Sequence, residues 1–369
     1  MIFTNKCLKG VDMEERDAII STDSAGDTSQ RRGNSPARAF FGYEVLSSDF
    51  LLQRIRSKGF AIGDAQRASR ILAASSYCHL SRYIPAVKRV FGDHASMGNL
   101  EEALLFDMTL QRVLLSYLIL FERAFKTSIA DGLAQEFGSF AHLRPEPFSN
   151  KELWHLFVKK YNRERDAKSR SGSPFVVHYI DEAGELPVWA AFDILSFGMA
   201  SNAYGNLVKC SARDKVSSYF GMPSSVMRSW ARALSHARNE CAHGGVFYGR
   251  QLDSQPKRTR ELVDCDTKSM YCLFVMILHL FKRNMPAAAS NMLGDLVAVA
   301  GRSSANLTEP CGFPRGWEER LASIIGENGT MSRMKRRFRL SFLWGEPPSG
   351  AGRSRAFPSI GVNCSSEGF

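Results

Sequence analysis

The chain has 369 residues, of which 44% are hydrophobic and 23% are charged. A chain of this length and apolar content can bury a large core, which excludes wholesale disorder, and usual domain sizes allow about one to three domains. Lysine and arginine exceed aspartate and glutamate by 48 to 37, and the formal net charge of +11 makes nucleic acid or another anionic surface a candidate partner.

Targeting and cysteine patterns favour a cytoplasmic protein. No uninterrupted apolar run reaches the ~18–20 residues that a membrane-spanning helix needs, and the N-terminal residues lack the apolar centre of a signal peptide. The eight cysteines are scattered and form no C-x-x-C pair, so neither a disulfide framework nor a zinc ribbon is predicted. We therefore expect a cytoplasmic location, reduced thiols and no membrane partner.

Composition divides the chain into three parts. Residues 1–44 are predicted to be a weakly ordered N-terminal segment, because residues 21–37 are rich in Ser, Asp, Gly and Arg. Residues 45–325 form the predicted helical domain. Residues 326–369 form a flexible tail that contains Gly, Ser and Pro and the basic run RMKRRFR at 333–339, which either stays solvated or contacts RNA phosphates.

Apolar periodicity predicts helices through the first part of the domain. Two short helices occupy residues 51–58 and 64–74, the second of them capped by Asp64. Residues 108–130 form the clearest helix, because apolar side chains recur at i, i+3, i+4 and i+7. Its charged residues are predicted to form a solvated face or, alternatively, a wall of an RNA groove: Glu122, Arg123 and Lys126.

The middle of the domain combines helices with loops. Ser149 and Glu152 have the spacing of a capping box at the start of one helix, and residues 164–173 are predicted to be a polar loop. Residues 175–180 have strand propensity but no hairpin partner, so we favour a helix or a connector there. Pro187 suits the first turn of the next helix, which we extend to about residue 200.

The last part of the domain again favours helices. A short helix over residues 212–220 ends at Gly221, and residues 270–283 are apolar nearly all round, which predicts a central core helix. Trp189 and Trp317 are expected to anchor the packing. Since little of the sequence pairs as a sheet, the predicted fold is an all-α helical bundle.

Residues 225–243 are predicted to form an amphipathic helix. At ~100° per residue, an apolar stripe and a polar face lie on opposite sides of the cylinder. The apolar stripe comprises Val226, Trp230, Leu234, Ala237 and Cys241. The polar face comprises Arg232, His236, Asn239 and His243, with Arg238 on its flank. Gly244 and Gly245 end the helix, which predicts an exposed polar end followed closely by Tyr248 and Arg250.

The string Arg238-Asn239-Glu240-Cys241-Ala242-His243 reads R-N-x-x-A-H and resembles the R-x4-H motif of the HEPN superfamily, within it the Abi-like (abortive infection) family. Glu122-Arg123 lies where that family has I-E-x-x-x-R. Other stretches that resemble the family in order are R-S-K-G at 56–59, S-Y-C-H-L-S-R-Y at 76–83, P-V-W at 187–189, S-F-G at 196–198 and G-F-P-x-x-W at 312–317. The resemblance covers about residues 47–320.

The resemblance implies a HEPN-like bundle and an RNA-cleaving toxin of phage defence that needs no metal or other cofactor. Its catalytic residues would be Arg238, Asn239 and His243, at a site formed where two copies of the chain meet. An imidazole can act as a base or an acid, so His243 could move the proton of a ribose 2′-hydroxyl, and Arg238 could hold the phosphate. The partners implied are RNA, a second copy in a homodimer, and an inhibitory RNA or protein antitoxin.

The residues after the motif are assigned to substrate binding. The family continues R-N-x-x-A-H with x-x-R-x-W-N-R, so that Tyr248 replaces the Trp and Arg250 matches the last Arg. Val246 and Gly249 replace an Arg and the Asn. Because these losses remove a cation near the phosphate, a second function stays open: a non-catalytic scaffold that binds RNA or a protein partner.

Two further interpretations of the helix end remain open. Its cationic residues could serve only the helix dipole. His236, Glu240 and His243 lie at i, i+4 and i+7 and could ligate zinc or manganese, although one helix supplies at most about three ligands. Arg238 and His243 lie ~140° apart on an ideal helix and do not share a face, which favours a site built from two chains.

Overall fold

The computed structural model describes residues 47–326. Within this range the chain forms fifteen α-helices and five short 3₁₀ helices, with two isolated bridges and no strand. The prediction of an all-α fold is therefore confirmed. The predictions for residues 1–44 and for the tail, including the basic run at 333–339, lie outside the described residues.

The helices follow one another closely along the described chain. The first eight are α1 (Ser48–Ser57), α2 (Ala65–Ser75), α3 (Tyr77–Leu80), α4 (Ile84–Phe91), α5 (Met97–Phe137), α6 (Lys151–Arg170), α7 (Pro174–Ala183) and α8 (Val188–Ile194). The others are α9 (Phe197–Asn206), α10 (Ser211–Phe220), α11 (Ser224–Ala242), α12 (Met270–Phe281), α13 (Pro286–Val299), α14 (Ala305–Thr308) and α15 (Trp317–Ile324).

Helix α5 organises the bundle. It has 41 residues, which corresponds to about 60 Å of helix at ~1.5 Å per residue. A capping box between Ser96 and Asn99 begins it, and Gly138, with φ of 87°, ends it. Helices α8, α10, α11 and α13 pack against its sides. The predicted helix at 108–130 is the middle of this element, where the apolar periodicity is strongest.

By length and composition, α5 is also the one described helix that could cross a membrane. However, 56% of its most apolar stretch is buried inside the protein. The core helix of a folded domain meets the same criterion, so this feature carries no argument for a membrane.

Helix α12 lies at the centre of the core, as its sequence predicts. Every residue from Met270 to Phe281 is buried except His279, which is half-buried. Full burial of a large apolar side chain contributes about 1.5–3 kcal/mol, so a helix that is apolar all round is stable only when neighbours surround it. Helices α5, α13 and α15 provide those neighbours. Trp317, at the start of α15, is buried as predicted.

Three local predictions are wrong. Residues 164–170 belong to α6 rather than to a loop, because their polar side chains lie on a helix with only one buried side. The N-cap of α6 is Asn150, whose side chain accepts from the Leu153 amide, whereas the Ser149 hydroxyl donates to Asn206. Trp189 is 46% exposed, with its indole donating to the Tyr179 hydroxyl, and is not a packing anchor.

The helix predicted from Pro187 to about residue 200 is two helices in the structure. Helix α8 ends at Ile194, and α9 begins at Phe197 with Ser196 as its N-cap. The Ser196 side chain accepts a hydrogen bond from the Met199 amide, and this N-cap explains why a new helix begins there. Residues 175–180, with ambiguous propensity, lie in α7 and are helical.

Candidate functional site

Helix α11 has the two faces that its sequence predicts. Val226, Trp230, Leu234 and Ala237 are buried, and Cys241 is partly buried. The polar residues Arg232, His236, Asn239 and His243 are all exposed. The helix ends at Ala242 with His243 as its C-cap, and Gly244 follows with a left-handed φ of 66°. The apolar stripe fixes the rotation of α11 against the bundle, and this rotation presents the polar face to solvent.

Helix α11 runs antiparallel to α5. Arg238 lies beside Glu122 of α5. Further along the chain, the Gln111 side chain donates to the Gly245 carbonyl at 3.1 Å. The Phe247 amide then donates to Asp107 at 3.1 Å. As the chain advances from 238 to 247, its partner on α5 moves back from 122 to 107, so His243 lies beside the middle of α5.

The guanidinium of Arg238 is held by a buried carboxylate. Its Nε lies 3.2 Å from Glu122 Oε2, and Lys126 Nζ lies 2.7 Å from the other oxygen of the same carboxylate. The Nε contact is an ion pair rather than an aligned hydrogen bond. Arg238 Nη1 also donates to Asn239 Oδ1 at a long 3.4 Å. Since 32% of the Arg238 side chain stays exposed, the guanidinium can still meet a phosphate.

The burial of Glu122 corrects the prediction that it lies on a solvated face. Only 9% of its side chain is exposed, and it bridges a cation of its own helix and a cation of α11. Arg123 does face solvent. The signal in the sequence was the i, i+4 spacing of Glu122 and Lys126, which is typical of an ion pair on one helix.

The exposed imidazole of His243 has no side-chain partner among the described residues. Its backbone amide donates to the Asn239 carbonyl at 3.0 Å, which closes the last turn of α11. The Asn239 side-chain oxygen contacts Arg238 rather than His243. Asn239 therefore links Arg238 to the face that carries His243, although one chain does not bring Arg238 and His243 into contact.

Of the two residues assigned to substrate binding, the structure leaves only Arg250 at the surface. Arg250 is exposed. Tyr248 is fully buried, and its hydroxyl donates to the Asn306 carbonyl at 2.8 Å. Burial raises the pKa of Tyr248 above its ordinary value. A side chain in this position cannot stack on a bound nucleotide, so the assignment of Tyr248 to substrate is corrected: it anchors the segment after α11.

The two departures from the Abi-like motif also lie in packed positions. Val246 is buried. Gly249 has a φ of 68°, and a Cβ added there would lie 2.2 Å from the Cβ of Ala86 in α4. Gly249 has no room for the Asn of the family motif, and Val246 places an apolar side chain in the core where the family has an Arg. In this chain the segment after α11 is part of the core rather than a cationic rim.

We expect Gly249→Ala to destabilise the fold by about 3 kcal/mol, because it adds the clash with Ala86 to left-handed strain. Gly244→Ala is the matched control, since Gly244 has nearly the same φ but open space around it. That control should cost only about 1–2 kcal/mol. Urea unfolding of both variants measures the difference, and equal free energies of unfolding would contradict the proposed contact.

Sequence reasoning missed a second buried carboxylate beside the site. Asp107 of α5 is completely buried. Its Oδ2 accepts hydrogen bonds from the Tyr83 hydroxyl at 3.0 Å, the Gln111 side chain at 3.1 Å and the Phe247 amide at 3.1 Å. Burial raises the pKa of Asp107 above its ordinary value, against the lowering effect of these donors. Asp107 therefore ties the segment after His243 to α4 and α5.

The structure supports neither a metal site nor a nucleophilic cysteine at the end of α11. Among residues 47–326, no group of three His, Cys, Asp or Glu side chains is placed to hold a metal ion, and this includes His236, Glu240 and His243. Burial raises the pKa of Cys241 to about 12, so its thiol stays protonated near neutral pH and is a poor nucleophile.

The fold and site define an all-α protein with an Arg-Asn-x-x-Ala-His helix end. The family model described as Abi-like protein matches residues 70–249, a range that contains α5, α11 and the polar helix end. Over these residues the chain is similar to the Abi-like family, and this similarity points to a role in abortive-infection defence. Neither the curated proteins nor the solved structures give a significant match.

Proposed function

We propose that this protein is a metal-independent endoribonuclease of the HEPN type that acts as a toxin in abortive infection. The observation that carries the proposal is the buried Glu122, which holds Arg238 at the exposed end of α11 next to Asn239 and His243. A structural ion pair alone does not explain why an arginine, an amide and an exposed imidazole all lie at one helix end. RNA is the proposed substrate and the cytoplasm the proposed location.

The chemistry follows from the side chains. The ribose 2′-oxygen attacks the neighbouring phosphorus, so that the O2′–P bond forms while the P–O5′ bond breaks. The imidazole of His243 accepts the 2′ proton, and Arg238 stabilises the charge on the phosphorane. A second acid, His243 of another copy or a water molecule, protonates the leaving 5′-oxygen. The products are a 2′,3′-cyclic phosphate and a 5′-hydroxyl.

A second copy of the chain is part of this proposal. Arg238 and His243 differ by ~140° around the helix, and the Arg238 guanidinium is held by Glu122 and Asn239. The guanidinium of one chain and the imidazole of another can then flank the same phosphodiester. An RNA or protein antitoxin that restrains this activity belongs to the same proposal.

A cleavage assay without metal tests the proposed function. Wild type and His243→Ala are incubated with total cellular RNA in EDTA, and the product ends are mapped. We expect His243→Ala to lose about 10²–10⁴-fold in rate, the usual contribution of a general base. His236→Ala, which removes an exposed imidazole seven positions earlier on the same helix, should retain activity. Equal activity of His243→Ala and wild type would reject the mechanism.

A non-catalytic RNA-binding scaffold is the second candidate. It is favoured by the burial of Val246 and Tyr248, which leaves Arg250 as the exposed residue of the distal motif. A scaffold would bind RNA with a steep salt dependence but leave it intact. Wild-type protein that binds but never cuts, and that slows growth no less after His243→Ala, would favour the scaffold over the nuclease.

A further inference from the structure

The outer side of α5 carries an exposed stripe that includes four large apolar side chains. Within residues 47–326 no element covers it, and Leu105 and Met108 are 56% and 55% exposed. At ~100° per residue, its members fall within an arc of ~120° on one side of the helix. We call this surface the α5 stripe; it comprises Glu102, Leu105, Met108, Thr109, Arg112, Ser116, Ile119, Leu120 and Arg123.

The α5 stripe is complementary to itself when it is reversed. Glu102 lies at one end and Arg123 at the other, and both are exposed. If two copies pair antiparallel with their centre between residues 112 and 113, Glu102 of each chain faces Arg123 of the other. In the same register Leu105 faces Leu120. Opposite charges therefore meet at both ends, and a Leu105–Leu120 contact lies next to each of them. The centre of the interface is polar, with Thr109 facing Ser116 and the two Arg112 side chains near the axis.

We propose that the α5 stripe is the two-fold interface of a homodimer of this protein. An interface around a two-fold axis uses the same patch on both subunits and must be self-complementary, which is the property of this stripe. A foreign helix or a lipid surface would match the apolar residues but would not use the opposite charges of Glu102 and Arg123 at the two ends of the stripe. The second copy is the occupant that uses both features.

This interface would also bring the two candidate sites together, a step that rests on the proposed function. Helix α11 packs roughly 100–120° around α5 from the stripe, because its contacts are Glu122 and Gln111. A two-fold axis perpendicular to the plane of the paired α5 helices keeps both α11 helices on the same side of that plane. His243 lies beside the middle of α5, close to this axis. Both polar helix ends would then border one groove.

Sedimentation equilibrium of the full-length protein without RNA tests the interface. Wild type should be a dimer at tens of micromolar. Leu105→Asp and Leu120→Asp should each weaken dimerisation by about 100-fold or more, since each places two charges in an apolar contact. Leu153→Asp on α6 is the matched control, because Leu153 is 53% exposed but lies off the stripe. A monomeric wild type, or dimers of unchanged affinity in both stripe variants, would overturn the proposal.

Charge exchange tests the register. Glu102→Arg should weaken the dimer about 10-fold, because two attractive pairs become repulsive, and adding Arg123→Glu should restore it. Two Arg112 side chains meet near the axis, so Arg112→Leu should tighten the dimer several-fold, a gain that a folding defect cannot imitate. Failure of the double variant to recover affinity would reject this register. A dimer that passes these tests but never cuts RNA would reject the nuclease and keep the interface.

Discussion

Arg238→Ala is expected to lower the rate of RNA cleavage by about 10²–10³-fold, the usual effect of removing one preorganised group that stabilises transition-state charge. The loss should fall mainly on kcat, because Glu122 holds the guanidinium in place before substrate arrives. Arg238→Lys should recover little of the rate, since an ammonium lacks the planar fork that contacts Glu122 and a phosphate together. Single-turnover cleavage of one defined RNA measures these rates.

The role of Glu122 as a positioning residue can be separated from a structural role by a double-mutant cycle. Glu122→Gln should reduce kcat about 10-fold, because a neutral amide holds the guanidinium less firmly. In the Arg238→Ala background the same change should have little further effect. Arg232→Ala is the control: this exposed arginine of the same helix should affect RNA affinity more than kcat. Additive losses would show that Glu122 does not act through Arg238.

The parts of the fold that the sequence predicts are those set by local patterns. The two faces of α11, its end at Gly244 and the central position of α12 follow from helical periodicity and from glycine in a left-handed position. Such signals need only neighbours along the chain. Asn239 and His243 lie on the solvent side of α11 for the same reason, with Arg238 on its flank, so the sequence places the candidate catalytic residues correctly on the helix.

The parts that the sequence does not predict depend on contacts between distant elements. Glu122 and Asp107 are charged residues of a long helix, and nothing local shows that α11 and its following segment cover them. Tyr248 lies shortly after Gly244 and Gly245, a position that predicts an exposed loop. Its burial depends on the hydrogen bond from its hydroxyl to the carbonyl of Asn306, 58 positions away. The predicted end of α6 is also wrong, because this helix continues through a polar stretch in which apolar residues do not recur at helical spacing. At the candidate site, the errors concern polar residues whose partners are far away in sequence.

Asp107→Ala is expected to destabilise the fold by about 3–5 kcal/mol, because it leaves buried donors of Tyr83, Gln111 and Phe247 without their acceptor. The segment that follows His243 would lose its anchor on α5, so cleavage should fall as well. Urea unfolding measures the stability of this variant. Asp193→Ala, at an exposed aspartate of α8, is the control and should change stability little.

Asp107→Asn gives the pH dependence of the same contact. Burial raises the pKa of Asp107, so the folded protein binds its proton more tightly than the unfolded chain does. This stabilisation is fully present below the ordinary aspartate pKa of about 3.9 and is lost as the pH rises through the raised folded value. The melting temperature of wild type should therefore fall relative to Asp107→Asn as the pH increases. A difference in melting temperature that stays constant with pH would mean that folding does not change the pKa of Asp107. The three hydrogen-bond donors would then offset the effect of burial.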